Sequence, residues 1–323
     1  MYESFYLRAV SPREPVGAWI RYTVEKQGGL RARGSLWVSV FDGHAGAPFM
    51  YRQSSDDLVL PAGGWIGLGD DSRFGPGVAV GRCGPARWSL RFAGEEPELR
   101  HFKQPWLYRT PLPRTKPTSP LPAARFDGKI ELPGRTLQVD GWRGMVGHNW
   151  GSEHAARWIW LHGIDFREDA NAWLDVALGR VLLAGRLTPW VANGAICIDG
   201  RRLRLGGLGA RGLKVAESPA RCSLSLPGER GLLVEAHVDT VPNCIARWRY
   251  SDPRDRPDTG DAGLDTAANS KHDGELDTAS GGEHDVSNCS VAALALNVRA
   301  PGEAAIALHS AHGGAYELGV SRL

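Results

Sequence analysis

The chain has 323 residues, a formal net charge of +2 and 42% hydrophobic residues. This composition excludes global disorder, and so small a net charge gives no basic field that would favour nucleic acid. No apolar run approaches the roughly 18–20 residues of a membrane helix, so no transmembrane segment is predicted. Twelve tryptophans against three methionines is the unusual ratio.

Short stretches of alternating polar and apolar residues predict β-strands along most of the chain. They cover residues 16–25, 34–42, 87–92, 158–166, 172–178, 232–239 and 292–299. Turn sequences such as Asp42-Gly43 and Pro301-Gly302 separate the stretches. Many short strands with little helical periodicity predict an all-β protein built from antiparallel sandwiches or barrels.

Two segments interrupt this pattern. Residues 105–122 are rich in proline, which favours an extended path, and we interpret them as a linker that also straps across both halves. Residues 251–285 hold ten acids, three bases and few large apolar side chains, which predicts a disordered insertion within a hairpin. Without the net −7 of this insertion the chain carries about +9, which favours anionic ligands or partners. We predict domains at 1–125 and 126–323.

The cysteines and the N-terminus indicate the compartment. The five cysteines are far apart and form no CxxC pair, which predicts reduced, buried thiols. The first residues show no basic region followed by an apolar one, so no secretory signal is predicted. We expect a cytoplasmic protein, with peripheral contact to a membrane left open and the oligomeric state not predicted.

Residues 141–175 concentrate the chemistry, with five of the twelve tryptophans and three histidines. Alternation places Trp158, Trp160 and His162 on one face of a strand. A Trp-lined barrel interior with a few polar groups is typical of an apolar ligand site. The predicted ligand-binding residues are Trp142, Asn149, Glu153, His154, Trp158, Trp160, His162 and Trp173.

A carboxyl group in such a cavity has a raised pKa, because desolvation disfavours its charged form, and it can donate a proton near neutrality. Indole faces stabilise a developing cation, so the set suits proton-initiated addition or cyclisation on a double bond. The alternative is that His148 and His154 cap backbone groups and that the tryptophans fill a core. Zinc binding by these histidines and Glu153 is not favoured, because their spacing does not match a helix-borne zinc motif. We predict no cofactor and no metal.

The sequence Gly147-His148-Asn149-Trp150-Gly151, followed by Trp158-Ile159-Trp160, resembles the hydroxyneurosporene synthase (carotenoid 1,2-hydratase) and tocopherol cyclase-like proteins. Weaker matches are Trp19-Ile20-Arg21-Tyr22-Thr23 and Ser35-Leu36-Trp37. The resemblance implies two tandem lipocalin-like barrels of the calycin superfamily. It also implies a His-x-Trp pair, matched by His148 and Trp150, and a later Tyr-x-Asp pair that falls on Trp173-Leu174-Asp175.

By this resemblance Asp175 protonates a double bond, Trp150 stabilises the cation and His148 orients Asp175 or water. Trp173 stands where the family has Tyr, so isomerisation, cyclisation or plain binding join hydration as predicted activities. The expected ligand is a hydrophobic small molecule of terpenoid, carotenoid or polyketide type. The alternatives are a non-catalytic carrier of a lipid or pigment, and an interaction protein that uses 251–285 and the proline-rich strap.

Overall fold

The computed structural model describes residues 1–26, 31–59, 62–251 and 282–322. The regular structure of these ranges is almost entirely antiparallel β-sheet, and they contain no α-helix. The exceptions are two short 3₁₀ helices at Pro105–Tyr108 and Glu229–Gly231. The predicted all-β class is confirmed.

Within the described ranges the first sheet has twelve strands. They are β1 (Tyr2–Val10), β2 (Val16–Glu25), β3 (Arg33–Asp42), β4 (Phe49–Ser55), β5 (Leu58–Val59), β6 (Ile66–Leu68), β7 (Ser72–Gly75), β8 (Val78–Cys83), β9 (Ala86–Ala93), β10 (Leu99–Arg100), β11 (Thr115–Leu132) and β12 (Arg135–Gly151). Their order is β4-β3-β2-β1-β12-β11-β9-β8-β7-β6-β5, and β10 pairs with β11.

The remaining described strands form a second sheet and one small hairpin. They are β13 (Arg157–Gly163), β14 (Trp173–Arg180), β15 (Leu182–Leu183), β16 (Arg186–Leu187), β17 (Val191–Ile198), β18 (Arg201–Gly206), β19 (Lys214–Glu217), β20 (Arg221–Pro227), β21 (Leu233–Asp239), β22 (Ala246–Ser251), β23 (Glu283–Arg299) and β24 (Ile306–Ser321). The second sheet runs β18-β17-β14-β13-β24-β23-β21-β20-β19, with β22 on β23, while β15 and β16 pair with each other.

Each sheet curls into a barrel, and the two barrels follow each other along the chain. In the second sheet a bridge between Leu205 and Gly228 brings the β18 end back to the segment that follows β20. Hydrogen bonding in the first sheet continues to Gly151, past the predicted division at residue 125, because β11 and β12 form one long antiparallel pair. The change of sheet falls between Gly151 and Arg157. The domain division at 125 stays a prediction.

Most predicted strands match the observed ones closely, but the strand predicted at 292–299 begins earlier, at Glu283, and one predicted strand ends early. The strand predicted at 158–166 stops at Gly163, because Asp165 adopts a positive φ of 60° that a strand does not accommodate. The predicted hairpin near Tyr250 is present, since Tyr250 pairs with His284 across β22 and β23. Of the insertion predicted to be disordered at 251–285, residues 252–281 lie outside the described residues. The prediction is wrong at its two ends, because Ser251 belongs to β22 and residues 283–285 belong to β23.

Strand alternation gives the first barrel two distinct surfaces. In β1, Phe5 and Leu7 belong to the hydrophobic core of the first barrel, whereas Tyr6 packs in the core shared with the second sheet. Successive side chains of a strand point to opposite faces, so β1 supplies one barrel interior and one barrel-to-barrel interface. The same alternation in β2 sends Ile20 inward and Trp19 toward the second sheet.

Candidate functional site

A cavity of about 1260 Å³ lies between the two barrels. The first barrel contributes Tyr6 and Arg21 to its wall, and the second contributes Trp158 and Trp160. The segment from Trp106 to Pro117 lines a further side of it, so the proline-rich strap takes part in the site. Trp158 and Trp160 share a face as predicted.

Asp175 on β14 is the most heavily hydrogen-bonded carboxylate near this cavity. It is fully buried and accepts hydrogen bonds from Ser119 Oγ at 2.5 Å, Trp160 Nε1 at 3.1 Å and His101 Nε2 at 3.2 Å. Burial alone would raise its pKa, but the charge and hydrogen bond of His101, with the Ser119 hydroxyl, bring the pKa of Asp175 down to about 2. Asp175 is therefore ionised near neutrality.

His101 forms a buried pair with Asp175, and it lines the cavity. The antiparallel pairing of Leu99 with Ser119 across β10 and β11 brings His101 and Ser119 to the same carboxylate. Nε2–H donates to Asp175, whereas the other ring nitrogen, Nδ1, is buried and has no hydrogen-bond partner among the described residues. A histidine held by a carboxylate through one nitrogen, with the second nitrogen unpaired, is a typical general acid–base arrangement.

Glu317 on β24 is a second buried carboxyl, and unlike Asp175 it lines the cavity. It lies opposite Trp160 in the register of β13 and β24, and it accepts hydrogen bonds from Trp158 Nε1 at 2.9 Å and Asn288 Nδ2 at 3.2 Å. Burial raises the pKa of Glu317 despite the opposing effect of the Trp158 hydrogen bond. Two carboxyl groups whose environments shift their pKa values in opposite directions suit the roles of base partner and acid.

Tyr6 and Arg21 are polar residues that the first barrel adds to the cavity wall. Burial raises the pKa of Tyr6 well above its ordinary value, and the charges of Asp175 and Glu317 raise it further, so its hydroxyl stays protonated. Its ring packs edge-on against Trp160, with centroids 5.6 Å apart. Arg21 donates from Nε to Ser4 Oγ at 2.7 Å, and its guanidinium lies over the Tyr250 ring at 4.6 Å.

His162 does not line the cavity, and its buried ring is held by hydrogen-bonding contacts at both nitrogens. Its Nε2–H donates to the Pro122 carbonyl at 2.9 Å, and Nδ1 faces Arg8 Nη1 at 3.4 Å. Burial and the charge of Arg8 lower the pKa of His162 to about 4, so the ring is neutral. Arg8 also donates to the Ser290 carbonyl at 2.8 Å, which joins the two sheets at this point.

The structure does not bring His148 and Trp150 to Asp175. In the β1–β12 register Phe5 pairs with His148, and their rings stack at 4.0 Å on the first-barrel side. His148 Nε2 lies 3.0 Å from Glu3 Oε1, and the ring stacks on Trp150 at 4.7 Å. Among the described residues, neither side chain of the pair has a contact with Asp175.

The other predicted ligand-binding residues divide into two groups. The residues on the cavity wall are Asn149, Glu153, His154, Trp158 and Trp160. Trp142 lies in the first-barrel core, and Trp173 is fully buried beside Leu99, Ala195 and Cys197. Asn149 reaches the cavity because it alternates with His148 and Trp150.

Sequence reasoning missed His101, Ser119 and Glu317. Glu317 carried a usable signal, as the one acid in the apolar run Ala315–Val320. His101 and Ser119 lie 74 and 56 residues from Asp175, and no local pattern connects them to it.

The described residues show no group of three or more His, Cys, Asp or Glu side chains arranged for a metal ion. In the same part of the chain, no helix is long and apolar enough to cross a membrane.

Comparison with known proteins shows the class of fold. No family model matches the chain. Structures similar to this chain include a Nitrosomonas europaea protein with the provisional designation AttH (TM-score 0.53, 11% identity), kievitone hydratase from Nectria haematococca (0.53, 8%) and CghA (0.58, 10%). Each alignment covers 99% of this chain and, respectively, 92%, 89% and 88% of the other. The fold is a pair of tandem lipocalin-like barrels.

The sequence relatives carry no described function. Uncharacterized proteins from two strains of Mycobacterium tuberculosis, CDC 1551 / Oshkosh and ATCC 25618 / H37Rv, are each 29% identical to this chain over 164 residues. The match covers 50% of this chain and 48% of each relative, so it spans about half of their length. The resemblance to carotenoid hydratases and tocopherol cyclases stays a prediction.

Proposed function

We propose that this protein binds an unsaturated, apolar small molecule between its barrels and catalyses acid–base addition of water across a double bond. The observation that carries the proposal is the buried His101–Asp175 pair. His101 lines the cavity, and its Nδ1 has no hydrogen-bond partner in the part of the chain that the structure describes. The fold shared with a kievitone hydratase supports the choice of hydration. Cyclisation is the same chemistry with a nucleophile from the substrate itself in place of water.

The proposed reaction assigns one proton transfer to each of two groups. Glu317, in the protonated form that its raised pKa favours, donates its proton to one alkene carbon, and the π electrons form the new C–H bond. The cation on the second carbon is stabilised by the indole faces of Trp158 and Trp160 and by the charge of Asp175. Water adds to that carbon while His101 Nδ1 takes its proton. Return of this proton to Glu317 through solvent restores both groups.

The volume of the cavity limits the substrate. Sites for drug-sized ligands usually measure about 300–1,000 Å³. At about 1260 Å³ this cavity accommodates a longer or polycyclic skeleton, in line with the terpenoid, carotenoid or polyketide class expected from the sequence.

The test uses purified full-length protein, a panel of prenylated and polyene substrates that includes kievitone, and water labelled with ¹⁸O. We expect a product that gains one labelled water, detected by mass spectrometry. His101→Gln should lower turnover at least about 100-fold, the usual contribution of a positioned acid–base group. His148→Gln is the matched control, because His148 stacks on Phe5 and should leave turnover within a few fold.

Two results would overturn the proposal. Loss of turnover in His148→Gln but not in His101→Gln would favour the histidine predicted from the sequence motif. Binding of panel members, measured by quenching of tryptophan fluorescence, without turnover of any of them would favour the carrier, for which the apolar cavity alone is sufficient.

A further inference from the structure

Exposed apolar side chains cluster around the mouth of the cavity. Eight large hydrophobic residues are exposed in the described part of the chain, and six of them line this one cavity. The six are Trp106, Leu112, Val181, Leu182, Leu183 and Leu208, and we call them the apolar rim. Leu183 is 70% exposed and Leu112 is 64% exposed, so these side chains point into solvent instead of closing the site. Exposed apolar side chains gathered around one cavity are typical of an interaction site.

The segments that carry the apolar rim are uniformly basic. Residues 103–115, 180–191 and 206–214 contain no Asp or Glu. They contain seven cationic residues, which are Lys103, Arg109, Arg114, Arg180, Arg186, Arg211 and Lys214. The chain as a whole has 38 basic and 36 acidic residues, whereas these three segments carry basic residues alone.

We propose that the apolar rim docks on the surface of an anionic lipid bilayer, with the mouth of the cavity facing the lipid. Apolar tips flanked by Lys and Arg are the combination that binds anionic membrane surfaces, because the tips enter the acyl boundary while the cations face the headgroups. Trp106, with its exposed indole at the rim, suits the interfacial position that tryptophan favours.

Docking in this orientation gives an apolar ligand a path from the bilayer into the cavity. A skeleton large enough to fill about 1260 Å³ exposes a large apolar surface, and its passage through water is unfavourable in proportion to that surface. With the rim in the lipid, the ligand moves from acyl chains to cavity without crossing water. The exposed hairpin β15–β16 forms part of the entrance, since Leu182 and Leu183 lie on it.

The test is flotation of the full chain with phosphatidylcholine vesicles, with and without phosphatidylglycerol. We expect binding to the anionic vesicles, weaker binding to the neutral ones, and loss of the difference at high salt. Leu183→Asp should weaken binding roughly tenfold through lost apolar insertion. Val59→Asp is the matched control, because Val59 is 44% exposed and lies outside the rim. Arg186→Glu should weaken binding to the anionic vesicles more than about fivefold. Arg91→Glu is the control, because Arg91 is exposed on β9 outside the rim, and it should leave vesicle binding nearly unchanged.

Absence of flotation with anionic vesicles would overturn the proposal, as would equal losses in Leu183→Asp and Val59→Asp. Sedimentation of the protein without vesicles tests the alternative that the rim binds a second copy of the chain. A dimer that Leu183→Asp dissociates, together with no vesicle binding, would assign the rim to a second copy of the chain. No arm of the experiment requires turnover, so its result is independent of the proposed hydration.

Discussion

Replacement of Asp175 by Asn tests the centre of the site directly. The carboxylate accepts hydrogen bonds from Ser119, Trp160 and His101, and Asn offers one acceptor oxygen and an unwanted donor in its place. The folded protein lowers the pKa of Asp175 from an ordinary 3.8 to about 2. At about 1.4 kcal/mol per pKa unit, the preference of the fold for the charged form is about 2–3 kcal/mol.

The sign of this contribution follows from the lowered pKa. Stability from Asp175 is fully present above its unfolded pKa near 3.8 and is lost as the pH falls toward about 2. Asp175→Asn should therefore lower the free energy of unfolding at pH 7 by about 2–3 kcal/mol. The difference from the native chain should shrink once the pH falls below about 4.

Urea unfolding of a double-mutant cycle measures the loss in the free energy of unfolding and how much of it comes from the Asp175–His101 pair. Asp175→Asn, His101→Gln and the double variant should be non-additive by about 1 kcal/mol or more, because each single change leaves its partner buried and unpaired. Asp140→Asn is the control, with a side chain 79% exposed, and should change stability by less than about 0.5 kcal/mol. A loss for Asp175→Asn as small as the control, or an additive cycle, would refute the reasoning.

Glu317→Gln should abolish turnover while ligand binding persists, since Gln keeps an acceptor for Trp158 but has no acidic proton. Native turnover should fall as the pH rises through the raised pKa of Glu317, and a flat alkaline limb would remove Glu317 as the acid. Because the pKa of Glu317 is raised, its contribution to stability is fully present below the ordinary Glu pKa of 4.5 and is lost as the pH rises through the raised pKa. Urea unfolding at two pH values should therefore show Glu317→Gln gaining stability relative to the native chain as the pH rises. His162 should show no change in its ring ¹⁵N NMR shifts between pH 5 and 8, because its pKa is about 4, and a midpoint near 6.5 would contradict the burial and Arg8 contact described for it.

Local pattern predicted most of the fold. The alternation in residues 16–25 gives β2 with its observed bounds, because side chains on an amphipathic strand must sort to two faces. Alternation also placed Trp158, Trp160 and His162 together. It gave no information on which surface they would meet. Trp160 packs against Tyr6 and His162 lies beside Arg8, both on β1 of the neighbouring barrel.

The candidate site was predictable only in part, since it is assembled from distant segments. Asp175 was found through a motif, but its partners lie in the first barrel, with Ser119 on β11 and His101 just after β10. The spacing of the motif also explains why His148 and Trp150 lie away from the cavity. His148 and Trp150 are two apart, so both lie on the face of β12 opposite to Asn149, and the pairing with β1 decides which face meets the cavity.

The alternation of β2 has a consequence for how new specificities arise in this protein. Trp19 and Arg21 line the cavity, while their neighbours Ile20 and Tyr22 belong to the core of the first barrel. Residues that contact the ligand cavity thus alternate along β2 with residues that stabilise the barrel core. Substitutions at the cavity positions can remodel the binding surface without touching the barrel core. Libraries restricted to those positions should retain folded members while they sample new ligands, and a change of one position in the strand register would exchange the two sets.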